Sequence, residues 1–184
     1  MSTRVVVHAD EACLGNGREG ACPGGAGGLV EVWRDDGVAR RDYYYAEPDT
    51  TNNRMAIRSA ILALELLGAK GKRLAVDFTS DSEYLVNGAK KWRHAWERRA
   101  WKNVKNVELW QQLFDLVDRH DVAWHWVRGH NLDPRNEYAD ELAVKAARTQ
   151  QSSEGLVESK FLEWLENQRG KKKYLGFDPD RPLR

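Results

Sequence analysis

The stretch that decides the fold is residues 4–10, which read RVVVHAD. Its β-branched run is followed by a polar, glycine-rich segment at 11–25, and this pattern is typical of a buried strand that ends in a long loop. Asp10 therefore stands at the end of a strand. Because functional groups in an open α/β sheet gather beyond the strand ends, Asp10 is the first candidate for a functional acid.

The rest of the chain predicts an antiparallel meander followed by helices and further strands. Two runs at 28–33 and 41–46 are joined by Asp35-Asp36-Gly37, which is a strong hairpin signal. Hydrophobic spacing, capping residues and β-branched runs then predict helices at 52–67, 81–88, 107–119 and 134–148 and strands at 74–79 and 122–127. This order of elements indicates an α/β fold.

Length and composition are those of an ordinary globular protein. The 184 residues predict one domain at 1–150 and an extension at 151–184, with a short helix at 157–168 and a basic tail. The net charge of +1 does not by itself indicate a nucleic-acid partner. No apolar run approaches the roughly 20 residues of a membrane span, and the N-terminus lacks a signal pattern. We therefore expect a cytoplasmic protein without a membrane partner, and we take it to be a monomer.

The two cysteines, Cys13 and Cys22, fit no zinc-binding spacing and make no disulfide framework. The sequence allows a bridge between them in principle. For a cytosolic protein, however, the expectation is that both thiols are reduced.

Two more acids belong with Asp10. Asp81 directly follows the predicted fourth strand, and Asp140 lies in the last long predicted helix, behind the loop 126–130. If the first and fourth strands are parallel neighbours, Asp10 and Asp81 converge, and Asp140 reaches the same edge. Taken alone, each acid could cap a helix, pair with an arginine or end a strand. Together they indicate a hard divalent cation, because clustered carboxylates repel each other without one.

The chain resembles the type 1 ribonucleases H. Matching segments occur in family order over about residues 4–148, and they are Asp10 with CLGN at 13–16, TTNNRM at 50–55, SDSEY at 80–84, the tryptophan-rich segment 101–110, WVRGH at 126–130 and NEYADELA at 136–143. The resemblance implies a five-stranded mixed sheet flanked by helices and metal-dependent cleavage of the RNA strand of RNA–DNA hybrids. It implies that Asp10, Asp81 and Asp140 are catalytic metal ligands for Mg²⁺ or Mn²⁺. His130 would assist proton transfer or product release, which suits a group that titrates near neutral pH.

Three positions depart from the family pattern. Ala56 stands where the family has a glutamate that binds metal and meets the ribose 2′-hydroxyl, and Glu11 replaces the glycine after the first aspartate. Glu83 stands where glutamine is common. Glu11 should point away from Asp10 if the strand continues, whereas it could approach the metals if the chain turns. Three interpretations of Ala56 stay open: an engineered change, a natural variant that compensates, and a protein that binds without cutting; the several departures favour natural divergence.

The resemblance also implies a hybrid-binding surface. Asn16, Asn52 and Asn53 match residues that contact backbone and bases, and Thr51 matches a contact to a DNA phosphate. The segment 90–103 resembles the family's basic protrusion, in which cations neutralise phosphate and tryptophan offers stacking or a hydrophobic root. Together with Glu83, the candidates there are Trp92, Arg98, Arg99 and Lys102.

The sequence therefore predicts a ribonuclease H with an altered active site, acting as a metal-dependent endoribonuclease whose activity could be reduced. The alternative is a catalytically silent module that binds RNA–DNA hybrids. A transposase- or integrase-like nuclease of the same fold is disfavoured by the hybrid-binding asparagines.

Overall fold

A mixed sheet of six strands, in the order β5-β4-β1-β2-β3-β6, organises the chain. The computed structural model describes residues 3–15, 20–129 and 133–181. Its strands are Arg4–Cys13 (β1), Gly24–Arg34 (β2), Gly37–Glu47 (β3), Ala75–Ser80 (β4), Asp121–Trp126 (β5) and Val157–Glu158 (β6). β1 pairs antiparallel with β2 and parallel with β4, and β5 is parallel to β4. The predicted α/β fold is confirmed, and β6 adds a sixth strand to the five that were expected.

Helices cover both faces of this sheet. They are Asn52–Gly68 (α1), Glu83–Asn87 (α2), Arg93–Arg98 (α3), Val107–Val117 (α4), Pro134–Thr149 (α5) and Phe161–Gly170 (α6), with a π-helical turn at Gly88–Trp92. α1 and α4 enclose the larger apolar core, while α5 and α6 enclose a smaller one around Leu29 and Tyr138. Side chains alternate along a strand, so Val7 and Ala9 of β1 face α1, whereas Asp10 faces α5. Residues that are adjacent along β1 therefore lie in different environments, one on each face of the sheet.

The prediction of a loop over 11–25 is wrong at both ends. β1 continues to Cys13, and β2 begins at Gly24. Glycines of β2 instead allow α5 to approach closely: a Cβ on Gly25 would lie 2.0 Å from the backbone oxygen of Ala143, and one on Gly27 would lie 2.6 Å from the backbone nitrogen of the same residue. Glycine is therefore required here by close packing of α5 on β2.

The expectation of two reduced thiols is also wrong. The structure joins Cys13 and Cys22 in a disulfide, with their Cα atoms 6.0 Å apart. Both residues are brought together by the antiparallel pairing of β1 with β2, which places Cys13 opposite Gly24. The sequence separation of nine residues gave no sign of this pairing.

The segment after residue 150 packs on the α5 face of the sheet. Ser152 and Ser153 accept hydrogen bonds from the backbone of β3, and Val157 pairs with Asp42 at the edge of that strand. The helix predicted from 157 therefore begins only at Phe161, because residues 157–158 are taken up as a strand. Within the described ranges, no helix combines the length and the apolar character needed to cross a membrane.

Candidate active site

Parallel pairing of β1 with β4 brings the first two acids together. The register places Ala9 opposite Ser80, so that Asp10 and Asp81 follow at the same edge of the sheet. Asp10 is 6% exposed. Its carboxylate accepts a hydrogen bond from the backbone N–H of Glu11 at 2.7 Å. The convergence that the sequence predicted for these two strand ends is therefore present.

Glu11 is the third member of this cluster. One carboxylate oxygen from each of Asp10, Glu11 and Asp81 lies within 4.8 Å of the others, which is a spacing that a single cation could bridge. β1 does not turn at this point, so Glu11 leaves the strand on the face opposite to Asp10. The alternation predicted from the sequence holds, and the two carboxylates nevertheless meet at the edge of the sheet.

The face onto which Glu11 projects is the face covered by α1. Ala56 lies there, fully buried at 0% exposure, and it packs in the same apolar core as Tyr43. The charge of Glu11 is one of the factors that raise the pKa of the Tyr43 hydroxyl, after burial, and this places Glu11 close to the core below α1. Glu11 thus approaches the edge that carries the acids from the side on which Ala56 carries only a methyl group.

Burial and mutual repulsion dominate the electrostatics of the cluster. Burial, followed by the charge of Asp81, raises the pKa of Asp10 to about 8, although the N–H of Glu11 acts against this. Burial and then the charges of Asp10 and Asp81 also raise the pKa of Glu11 well above its ordinary value. Both shifts mean that full ionisation of the cluster is unfavourable on its own, and its carboxylate oxygens form a group that a cation could bridge.

Asp140 on α5 lies near this cluster, but it is not one of the three acids whose ligand oxygens lie within 4.8 Å of one another. Its charge contributes to the raised pKa of Asp10, after burial and Asp81. One turn earlier, the side-chain amide of Asn136 donates to Asp10 Oδ2 at 3.4 Å. The structure therefore brings Asp10, Asp81 and Asp140 to one side of the molecule, which is the arrangement on which the nuclease interpretation depends.

The loop after β5 packs closely on Asp81. Trp126 Nε1 donates to the backbone oxygen of Asp81 at 3.0 Å, and the N–H of Val127 donates to the oxygen of Ser80 at 3.1 Å. A Cβ on Gly129 would lie 2.4 Å from Asp81 Oδ2, so a side chain at this position would require the Asp81 carboxylate to move. His130 and Asn16, which were predicted from the sequence, lie outside the described residues.

The predicted basic protrusion has a hydrophobic root and a charged surface. Trp96 is 7% exposed and packs against Trp110 with 5.0 Å between ring centroids, whereas Trp92 is 37% exposed. Arg93 is bound by Asp118 and Glu97, so its charge is already neutralised within the protein. Exposed side chains here include Arg98, Arg99, Lys102, Lys90 and Lys91.

The other predicted contacts lie at the start of two helices. Thr51 caps α1 by accepting from the N–H of Arg54 at 3.3 Å, and Asn53 is exposed beside it. The side-chain oxygen of Asn52 is buried and accepts no hydrogen bond from the described residues. Glu83 is exposed at the first position of α2, two residues after Asp81.

Sequence reasoning missed the roles of two residues on α5. Asn136 was noted only as part of a motif, and nothing in its spacing indicated that it would donate to Asp10. Arg135 is 1% exposed and pairs with Glu31 at 2.7 Å, although an arginine in the first turn of a helix predicts a solvated side chain.

Comparison with known proteins agrees with this geometry. The RNase H family model matches residues 2–148. The ribonuclease H of Maricaulis maris is 47% identical over 148 residues, covering 78% of this chain and 92% of its relative, and that of Alcanivorax borkumensis is 39% identical over 156 residues, covering 82% and 96%. The chain belongs to the ribonuclease H family.

A solved structure is similar over the whole chain. LC9-RNase H1, described as "a type 1 RNase H with the type 2 active-site motif", has a TM-score of 0.87 and 45% identity, covering 100% of this chain and 95% of its own. The RNase H domain of prototype foamy virus has a TM-score of 0.67 at 15% identity and shares the fold alone. The prediction of a metal-dependent endoribonuclease of the ribonuclease H type is confirmed, and the silent binding module is not favoured.

Proposed function

We propose that this chain hydrolyses the RNA strand of RNA–DNA hybrids at a site formed by Asp10, Glu11, Asp81 and Asp140, with Glu11 in the role of the acid missing at position 56. The observation that carries the proposal is the 4.8 Å grouping of ligand oxygens from Asp10, Glu11 and Asp81. We interpret Ala56 as a natural departure matched by Glu11, because alternation along β1 puts Glu11 on the face of the sheet that α1 and Ala56 cover.

The donor set fits a hard divalent cation. It consists of carboxylate oxygens, which suit Mg²⁺ and Mn²⁺, and their raised pKa values are those of groups that repel one another when ionised. Bound Mg²⁺ or Mn²⁺ would activate water and stabilise the leaving oxygen of a phosphodiester. The chain's own contribution is to fix the acids in advance: the Asp10 carboxylate accepts from the Glu11 N–H, and the backbone of Asp81 accepts from Trp126 at the end of β5.

The remaining predicted residues would hold the substrate beside this site. Arg98, Arg99 and Lys102 are exposed and would neutralise phosphates, and Trp92 would offer an aromatic surface. The residues at the starts of α1 and α2 would contact the sugar–phosphate backbone of the hybrid, and they are Thr51, Asn52, Asn53 and Glu83. Asn16, which lies outside the described residues, would make the same kind of contact. His130 would move a proton or assist product release. We further propose a cytoplasmic monomer with a domain at 1–150 and an extension at 151–184.

Cleavage of a labelled hybrid in Mg²⁺ and in Mn²⁺ tests the role of Glu11. We expect Glu11→Gln to slow cleavage by about 100-fold, since it keeps the shape and removes one anionic ligand. Glu154→Gln, an exposed glutamate in the segment before β6, is the matched control and should leave the rate unchanged.

A double variant separates compensation from simple damage. Glu11→Gly loses the acid from β1, and adding Ala56→Glu returns one from α1, so the double variant should recover much of the lost rate. The proposal for Glu11 fails if Glu11→Gln cuts as fast as the control variant. A chain that binds hybrid and never cuts, in either metal, would revive the silent module.

A further inference from the structure

The C-terminal tail reaches back to the first turn of α5. The guanidinium of Arg135 donates through Nη2 to the backbone oxygen of Pro179 at 3.0 Å, and it lies over the ring of Phe177 at 4.8 Å from the centroid. The oxygen of Phe177 accepts from Arg169 at 2.7 Å, so the tail is also fixed to α6. A planar cation held between a ring and a carbonyl has little freedom to rotate.

A buried carboxylate completes the setting of Arg135. Glu31 on β2 is 0% exposed, and its two oxygens accept from Arg135 at 2.7 Å and from Arg40 at 2.9 Å. Arg40 in turn donates to the Pro179 oxygen and to Asp180. The tail therefore supplies hydrogen-bond acceptors to both arginines. Without it, the two buried cations would share one carboxylate.

α5 is held from opposite sides by the extension and by the active site. On one side, the backbone N–H of Lys160 donates to the Tyr138 hydroxyl at 3.1 Å, and Trp164 of α6 donates to Glu141 at 2.5 Å. Arg135, Tyr138 and Glu141 follow one another at intervals of three residues, so their side chains lie on one side of α5. Asn136 and Asp140, four residues apart, face the acid cluster from another side.

We propose that the tail residues 177–180 position the active site by fixing Arg135, and with it the rotational setting of α5 that places Asn136 and Asp140 against Asp10. This positioning role rests on the proposed function only for its kinetic readout. A helix moves as a rigid unit, so a turn of its first residues displaces Asn136 directly. Misplacement of about 1 Å at a catalytic centre can cost up to 100-fold in rate.

Variants of Phe177 in the full-length chain test this proposal. Phe177→Ala removes the ring over Arg135, and Leu175→Ala, at 67% exposure in the same tail, is the matched control. Three quantities are measured below the melting temperature: kcat and KM on an RNA–DNA hybrid, and affinity for Mn²⁺ followed by electron paramagnetic resonance of the free ion. We expect Phe177→Ala to lower both kcat and Mn²⁺ affinity roughly threefold to tenfold with an unchanged KM.

Rescue by the conservative variant distinguishes positioning from general stability. Phe177→Tyr keeps the ring and should behave as the wild type. Phe177→Leu, which keeps apolar volume only, should fall between Tyr and Ala, and it stands in if the alanine variant does not fold. A lowered melting temperature with kcat and Mn²⁺ affinity equal to those of Leu175→Ala would overturn the proposal. If the wild type does not cut, the proposed function fails, and the Mn²⁺ affinities still decide the role of the tail.

Discussion

The acid cluster and the basic protrusion use charge in opposite ways. Asp10, Glu11 and Asp81 are held close together by backbone pairing, and burial and repulsion raise the pKa values of Asp10 and Glu11. Arg98 and Arg99 are exposed at the end of a short helix whose root is the buried Trp96. The cluster therefore depends on angstrom-scale geometry and a cation, whereas the protrusion needs only a rigid base and enough positive charge.

Removal of one acid should have the largest effect. We expect Asp10→Asn to reduce cleavage by roughly 10²- to 10³-fold or more, because one anionic ligand is lost at the centre of the cluster. The substitution should leave the fold intact, since a side-chain oxygen remains to accept from the Glu11 N–H. Steady-state cleavage and circular dichroism would check both parts. Retained activity would refute the metal role of Asp10.

Trp96→Ala should destabilise the basic protrusion by removing its buried hydrophobic root. The ring is buried and packs against Trp92, Trp101 and Trp110, so its removal should cost about 3–5 kcal/mol in the free energy of unfolding. Trp92→Ala is the control for an exposed ring of the same segment and should cost much less. Urea denaturation measures both. Equal losses would mean that Trp96 is not the root of the protrusion.

The metal-free protein should lose stability as pH rises from about 4 to about 8. The folded pKa of Asp10 is raised to about 8 and that of Glu11 is also raised, so over this window the folded state binds more protons than the unfolded state. His120 opposes this, because burial lowers its pKa. Comparison with Asp10→Asn therefore isolates the contribution of the acid cluster to the pH dependence of stability.

Thermal unfolding in a chelator at pH 5 and pH 8 measures this difference. Asp10→Asn should be more stable than the wild type at pH 8 by at least about 1 kcal/mol, with a smaller difference at pH 5. Added Mg²⁺ should stabilise the wild type at pH 8 more than the variant. An equal response of both proteins to Mg²⁺ would show that Asp10 does not hold the ion.

Neutralising Arg98 and Arg99 together should have the smallest effect. Each arginine that binds a phosphate should, when neutralised, reduce the slope of log affinity against log salt concentration by about 1. The cleavage rate at saturating hybrid should change little. Salt-dependent binding titrations would measure the slope, and an unchanged slope would exclude both residues from phosphate binding. Neutralising Arg93, which is already paired with Asp118, is the control.

Local sequence patterns predicted the features of the fold that depend only on residues close together in the chain. The β-branched run before Asp10 and the run before Asp81 predicted two strands with an acid at the end of each, and the structure pairs them in parallel. Gly24 and Gly25 were wrongly assigned to a loop, because glycine is typical both of loops and of a strand on which a helix packs closely. The Glu31 network escaped prediction because its members are far apart in the chain.

The sequence by itself determined most of the strands and helices between residues 4 and 148, and it showed acids at positions 10, 81 and 140 and none at position 56, since periodicity and residue type are local properties. Only the tertiary structure decided that Glu11 joins the cluster, that Cys13 pairs with Cys22, and that the tail reaches Arg135. These depend on which strands and helices become neighbours. Such contacts arise from the burial of surfaces distant in sequence, and no spacing along the chain encodes them directly.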